Sequence, residues 1–250
     1  MTSVKRKIIV IGASSGIGAE IAKQLLCNNN SVTFIARRRS EIEKRIAECG
    51  ELEQFSKPFI IEHDVKNITE VPALFEKAVA DMGGLDEIYF AAGIMHKVSI
   101  DEFNTAKDIE MMQVNTLGAI AWINLAAAYF SSKGRGKIIG ISSIAGDRGR
   151  VGNPVYNTSK AAMNTYLEAL RNRLARKGIL VLTVKPGFID TDMTKGMQGL
   201  FWLISAAKAA EIIIRAADRN KESIYVPWKW SLVALIIKNI PNFIFKKLNV

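Results

Sequence analysis

Cysteine is scarce in this chain. The 250 residues hold two, Cys27 and Cys49, at no metal-binding or redox spacing. They read as incidental thiols of a reduced, intracellular protein, and no metal is expected. There is no run of about 18 or more apolar residues, which excludes a transmembrane helix. There is no linker, low-complexity tract or repeat, so one domain over residues 1–250 is the economical reading. Basic–aromatic interleaving and helix-turn-helix signatures are also missing. Nucleic acid is therefore not expected as a partner, despite a net charge of +10. Acidic residues stop at Glu222, while Lys229, Lys238, Lys246 and Lys247 follow it. Lys5, Arg6 and Lys7 precede Ile8–Ile11 in the manner of a signal peptide. That apolar run is too short and ends in glycine, so it reads as a strand retained in the mature protein.

What is present is a rhythm. Short β-branched runs at 7–11, 31–36, 59–62, 87–91, 137–142, 180–184 and 223–226 alternate with helical patterns at 18–28, 41–48, 70–82, 108–130 and 159–177. Alternating strand and helix implies an α/β fold: a doubly wound parallel sheet of about seven strands with helices on both faces. All strand carboxyl ends then share one edge, and every motif falls at or just after such an end.

The first motif is the loop after the first strand, Gly12-Ala-Ser14-Ser15-Gly16-Ile17-Gly18. Gly12 permits a sharp turn, Gly16 a close approach of backbone to pyrophosphate, and Gly18 close packing of the helix. The helix N-terminus then offers free amides to phosphate. The second strand ends in Ala36 followed by Arg37 and Arg38, where an NAD-specific site carries a carboxylate. A guanidinium clamps a 2′-phosphate that a carboxylate would repel, so NADP is favoured over NAD, with Arg37 the best-placed partner. An exposed basic turn is the plainer alternative. Asp64, before Val65, suits either an adenine amino group or a helix start.

The next motif is Tyr156-x-x-x-Lys160, with Ser143 thirteen residues before the tyrosine. Four apart on a helix, Tyr156 and Lys160 share a face. A phenol near pKa 10 is a poor acid–base group at neutral pH, and a nearby ammonium lowers that value. Tyr156 can then exchange a proton with a carbonyl or alcohol oxygen that Ser143 holds. Asn115 stands in an apolar helix, either as a satisfied core amide or as the holder of a water linking Lys160 to solvent. Pro186-Gly187 opens a turn suited to wrapping a nicotinamide, with Ile189 and Thr191 beside it. Residues 192–205 lack a clear period and read as a mobile lid.

These residues resemble the short-chain dehydrogenase/reductase family across nearly the whole chain. The resemblance implies a Rossmann-type fold, NAD(P) and a homodimer or homotetramer; cytoplasmic residence is the expectation from the cysteines. It also implies catalytic roles for Asn115, Ser143, Tyr156 and Lys160, with Lys160 holding the nicotinamide ribose. Many members have Asn-Asn-Ala-Gly where this chain has Phe90-Ala91-Ala92-Gly93. Ala91, Ala92 and Gly93 still permit close approach to the adenosine, but the amides that brace the central strands are lost. That segment, residues 144–150 and the tail from Tyr225 resemble a subgroup that includes the decaprenylphosphoryl-2-keto-ribose reductases. The implied reaction is reduction of a ketone to a secondary alcohol, or the reverse, on a small or lipid-linked carbonyl substrate. A 3-oxoacyl carrier-protein reductase and a non-catalytic NADP-binding interaction protein are the alternatives. The tail at 228–250 is apolar and basic without acids. It suits a membrane interface, at the inner face of a membrane, or a helix docked on the substrate lip or a partner subunit.

Overall fold

The computed structural model describes residues 5–52 and 56–248; the ends of the expected 1–250 domain, including Asn249 and Val250 of the tail, lie outside them. Seven parallel strands form one sheet: β1 (Lys7–Ile11), β2 (Ser31–Ala36), β3 (Lys57–Glu62), β4 (Glu87–Phe90), β5 (Gly136–Ile141), β6 (Ile179–Pro186) and, after a short pair, β9 (Ser223–Val226). Their order is β3-β2-β1-β4-β5-β6-β9. The direction of winding therefore reverses between β1 and β4, which pair from Ile8↔Glu87 to Ile11↔Phe90. In such sheets a crevice opens at that reversal, outside the carboxyl ends.

The strands read as continuous apolar runs because both sheet faces are covered. Side chains alternate between the faces. Ile9 and Ile11 pack with Phe75, Trp122, Phe130 and Leu167, from α3 (Val71–Met82), α5 (Gly118–Lys133) and α6 (Pro154–Leu174). Ile8 and Val10 pack with Leu25, Ile42 and Ile213, from α1 (Gly16–Cys27), α2 (Arg39–Ala47) and α7 (Ala206–Asp218).

Several expected boundaries differ. The helix read over 108–130 is α4 (Thr105–Met112), a wider π turn at Gln113–Leu117, then α5. Gly118 lies so close to the chain leaving β3 that a Cβ there would meet the Val65 carbonyl at 2.9 Å. Helix α6 begins at Pro154 rather than Ser159, because proline suits the first turn, where its missing N–H has no partner to lose. Helix α7 was not expected; Ser205 caps it by accepting from the Lys208 amide at 3.2 Å. The aperiodic stretch before it is closed at its base by a two-residue ladder of β7 (Ile189–Asp190) on β8 (Ile204–Ser205).

The cysteines need a correction. Cys27 and Cys49 are joined in a disulfide, with their Cα atoms 5.5 Å apart. One ends α1 and the other follows α2, and the two helix ends meet on the same face of the sheet. Their spacing of 22 residues carries no motif, because β2 and α2 lie between. The reduced environment inferred from two free thiols no longer has that support.

The tail is docked. In α8 (Trp230–Asn239), Trp230 and Ala234 pack with Ile144, Phe188 and Tyr225. Arg148 donates from Nη1 to the Ile240 carbonyl at 2.6 Å and from Nη2 to Asn242 Oδ1 at 2.7 Å. Its guanidinium lies 3.8 Å from the ring centre of Phe245, in α9 (Asn242–Phe245). A cation at a helix C-terminus meets its unsatisfied carbonyls. Among the described residues, no helix is long and apolar enough to cross a membrane.

Candidate functional site

A cleft of about 620 Å³ opens at the winding reversal, within the size range of cofactor sites. One wall is the glycine loop. Gly12 has φ +88°, and a Cβ there would stand 2.5 Å from the Ala92 amide nitrogen. A Cβ on Gly18 would stand 2.3 Å from the Gly12 carbonyl oxygen. Only glycine therefore lets β1, α1 and the end of β4 converge. Ser15, which precedes α1, makes no side-chain cap, so the first-turn amides remain to meet a phosphate. Thr191 lies over Gly16, 3.3 Å from where a Cβ would be. This cradle fits a dinucleotide.

Every expected cofactor residue except Gly18 lines the cleft: Ser14 to Ile17 and Gly12, Arg37 and Arg38, Asp64 and Val65, Ala91 to Gly93, Tyr156 and Lys160, Pro186, Gly187, Ile189 and Thr191. Gly18 sits behind, as a packing glycine. The chain leaving β4 is held on both sides of Gly93. The Ala91 amide donates to the Ile11 carbonyl at 2.8 Å, and the Asn115 side chain clamps both backbone groups of Ile94.

At the adenosine end, Arg38 rather than Arg37 reaches the glycine loop, with Nη2 3.3 Å from Ser14 Oγ. Arg37 lies across the gap, 3.8 Å from Asp64 and largely exposed. Arg39 turns away to Glu43. Asp64 lines the cleft and accepts from the Lys66 amide at 3.0 Å in a turn; it is not a helix start, because α3 begins only at Val71. His63 was not expected here. It lines the cleft with Nδ1 3.2 Å from Glu70, its ring edge-on to Trp122 and Nε2 buried without a partner among the described residues.

At the other end, β5 and α6 bring Ser143, Tyr156 and Lys160 to the cleft. The two elements are locked together. Ser142 Oγ donates to the Lys160 carbonyl at 3.0 Å, and Lys160 Nζ donates to the Ile141 carbonyl at 3.1 Å. Ser143 accepts from the Ala145 amide at 3.0 Å, which starts a short 3₁₀ turn over Ile144–Asp147. Asn115 does not line the cleft. Its Oδ1 accepts from Ile94 at 2.8 Å, and its Nδ2 donates to Ile94 at 2.9 Å and to Ser159 Oγ at 3.0 Å. It is a satisfied amide that pins α6 to the chain leaving β4. The π turn that carries it was invisible to helical periodicity.

The electrostatics differ from the expectation of a phenol drawn down by Lys160. Burial pushes the Tyr156 pKa up, while Ser143 and the charge of Arg150 pull the other way. Lys160 is itself pushed down to about 8 by burial, which weakens its preference for the ammonium near neutral pH without reversing it. Arg150 was known only as part of the 144–150 run. Its Nη2 donates to the Ile144 carbonyl at 3.3 Å, and its buried Nε has no partner among the described residues. Asp147 does not neutralise it by a direct pair, being held by Lys185 at 2.5 Å and Tyr225 at 2.8 Å.

The depressed lysine carries a stability prediction. From 10.5 down to about 8, the unfolded chain holds a proton at this position that the folded chain does not. Folding is therefore opposed as pH falls through that window, and fully so below it. At ~1.4 kcal/mol per pKa unit the cost is roughly 3 kcal/mol. Lys160→Met is expected to unfold at higher denaturant than the parent at pH 7, with the gap closing towards pH 10. A variant less stable than the parent at pH 7 would contradict this.

Comparison with known proteins agrees with this geometry. The family model described as short chain dehydrogenase matches residues 6–199. An uncharacterised oxidoreductase of Mycobacterium tuberculosis is 28% identical over 238 residues, 94% of each chain. One from Staphylococcus saprophyticus is 32% identical over 198 residues, 78% of this chain and 83% of the relative. The structure of ElxO with NADP bound has a TM-score of 0.78 at 24% identity, over 90% of this chain and 99% of that one, a likeness of fold. With the family match running from the start of β1 past Thr191 and oxidoreductases aligned over most of the chain, this protein belongs to the short-chain dehydrogenase/reductase family of NAD(P)-dependent oxidoreductases.

Proposed function

We infer that the protein uses NADP(H) to interconvert a ketone and a secondary alcohol. The observation that carries this reading is the meeting of Ser143, Tyr156 and Lys160 at the end of the cleft that leads from the glycine loop. The pyrophosphate would lie on the first turn of α1, the adenosine between Ala91–Gly93 and Asp64–Val65, and the nicotinamide against Pro186, Gly187, Ile189 and Thr191. When bound, the cofactor supplies or accepts the hydride.

The side chains handle the proton and the oxygen. In reduction, the Tyr156 O–H passes its proton to the carbonyl oxygen as negative charge builds there, and Ser143 donates a hydrogen bond to that oxygen. The phenolate left on Tyr156 is reprotonated from solvent. In oxidation the same phenolate removes the alcohol proton. A buried phenol holds its proton, which suits it as an acid, while Ser143 and Arg150 limit how far burial raises its pKa. Lys160 faces the ribose and Asn115 positions α6.

Arg38 beside Ser14, with Arg37 opposite, supports a 2′-phosphate and hence NADP. ElxO, solved with NADP bound, agrees in cofactor. Past Met193 the cleft wall continues into an aromatic lid, which suits a carbonyl compound with an apolar part. A lipid-linked keto-sugar, the substrate of the subgroup the chain resembles, is one such compound.

Three measurements test this. Tyr156→Phe is expected to bind NADPH normally and lose at least ~100-fold in turnover; unchanged turnover would falsify the assignment. Arg150→Gln is expected to raise the tyrosine pKa, moving the alkaline limb of ketone reduction to higher pH, with Arg150→Lys restoring it. A limb that stays in place would remove Arg150 from the acid–base group. Joint replacement of Arg37 and Arg38 by alanine is expected to weaken NADPH at least ~10-fold, the scale of one lost charged hydrogen bond, and leave NADH nearly unchanged. Equal loss for both cofactors, read by fluorescence titration, would contradict the 2′-phosphate role.

A further inference from the structure

The tail helix α8 has two apolar faces. Trp230 and Ala234 point inward and are buried. Leu232, Leu235 and Ile236 stand at i, i+3 and i+4 on the other side, 51%, 64% and 62% exposed, and Phe243 of α9 follows at 66%. A helix apolar all round is normally covered all round. Here the inner face is covered by protein and the outer one faces solvent.

The lid packs against the start of the same helix. Phe201 stacks on Trp230 at 4.8 Å between ring centres, and Trp202 meets Trp230 edge-on at 5.7 Å. Trp230 itself packs on Gly187, where a Cβ would lie 2.0 Å from its ring. Phe201, Trp202, Leu203 and Trp228 are all exposed. Exposed aromatic side chains thus stand at the start of α8, beside the cleft wall that includes Gly187, Met193 and Thr194.

Past Asp190 and Asp192, which are exposed at the cleft side of the lid, the charge in these segments has one sign. From Met193 to Ala210 there is no acidic residue, nor is there any from Ser223 to Leu248. Lys195, Lys229, Lys238, Lys246 and Lys247 are exposed in these segments. Lys229 Nζ lies 5.7 Å from the Trp202 ring centre, its apolar stem beside the aromatic and its charge at the edge. A second copy of the chain is a poor cover. A twofold contact would set this patch against itself, lysines facing lysines with no carboxylate between them. An anionic lipid surface supplies both an apolar layer for the side chains and negative charge for the lysines.

We propose that the outer face of α8, the start of α9 and the lid residues Phe201 to Leu203 form a docking surface for an anionic membrane, which brings the cleft mouth to the lipid interface. An amphiphilic ketone would then reach Tyr156 without leaving the lipid layer. That last consequence rests on the reductase reading; the docking itself does not.

The test uses the full chain with no cofactor or substrate. Flotation with vesicles of phosphatidylcholine containing phosphatidylglycerol should carry the protein at low salt. Pure phosphatidylcholine vesicles should carry much less, and high salt should release it. Brominated lipid should quench Trp202 and Trp228, since Trp122 and Trp230 are buried. Leu235→Ser with Ile236→Ser should abolish flotation, and Lys229→Gln with Lys238→Gln should weaken it by roughly five-fold per lysine. Each variant should keep the parent's melting temperature and its turnover of a small soluble ketone. Failure to bind anionic vesicles at low salt would overturn the proposal, and so would binding indifferent to Leu235 and Ile236. A parent dimer that the serine variant converts to monomer would also overturn it, by showing that a second copy covers the face. Turnover of the soluble ketone, measured separately, reports on the reductase reading whichever way the flotation falls.

Discussion

The site depends on how closely two chain segments pass at the centre of the sheet. Where the winding reverses, the chain leaving β1 turns at Gly12 directly against Ala91 and Ala92 leaving β4, with no room for a single added carbon. Gly18 then rests on the Gly12 carbonyl, which brings the first turn of α1 to the same edge. Widening any of these contacts would separate the free amides of α1 from the cleft they face. The departure from the family pattern at Phe90-Ala91 leaves this contact intact, because Ala92 is kept where the two segments meet. Asn115 holds the same segment further along, accepting from the Ile94 amide and donating to its carbonyl.

At the far end of the cleft, burial outweighs charge. Tyr156 and Lys160 are both nearly inaccessible to solvent, and each is pushed towards its neutral form. A buried pair of this kind is costly to fold and is held by the framework around it. The framework is the seam between β5 and α6, closed by Ser142 on the Lys160 carbonyl and by Lys160 on the Ile141 carbonyl. Gly146 lets the turn after Ser143 lie against α6, since a Cβ there would meet the Lys160 backbone at 2.5 Å. The neutral state suits a proton donor. Ser143, and after it the charge of Arg150, which lacks a direct carboxylate pair, temper the rise.

Much of this was legible in the chain because the signals are local. Strand and helix alternation, glycine spacing and the Tyr-x-x-x-Lys interval each depend on residues a few positions apart, and the seven-stranded sheet follows the expected strands closely. What escaped depends on distance in sequence. The Cys27–Cys49 pair is made by two helix ends meeting on one face of the sheet, and no spacing rule reports that. That Arg38 reaches Ser14 while Arg37 faces Asp64 depends on the turn between Ala36 and α2, which adjacent arginines in a sequence do not reveal. Helix α7 was passed over because the aperiodic lid masks its start, although Ser205 carries a capping hydroxyl. The π turn at Asn115 keeps helical composition while changing its period.

The lid and the tail, read from sequence as separate features, are one body. Gly187 stands in the turn after β6 that lines the cleft, and Trp230 fills the space its missing side chain leaves. Phe188 and Phe201 pack around the same indole at 5.2 Å and 4.8 Å. From the other side, Arg148, five residues past Ser143, holds the last carbonyls of α8. The tail is thus fastened at one end to the wall beside Gly187 and at the other to the turn that carries Ser143. A displacement of α8 would be transmitted to both walls of the substrate end, without passing through the glycine loop. The adenosine end and the substrate end of the cleft therefore rest on different supports: the first on the backbone contacts at Gly12 and Gly18, the second on the seam at Gly146 and on the aromatic rings and arginine that hold the tail.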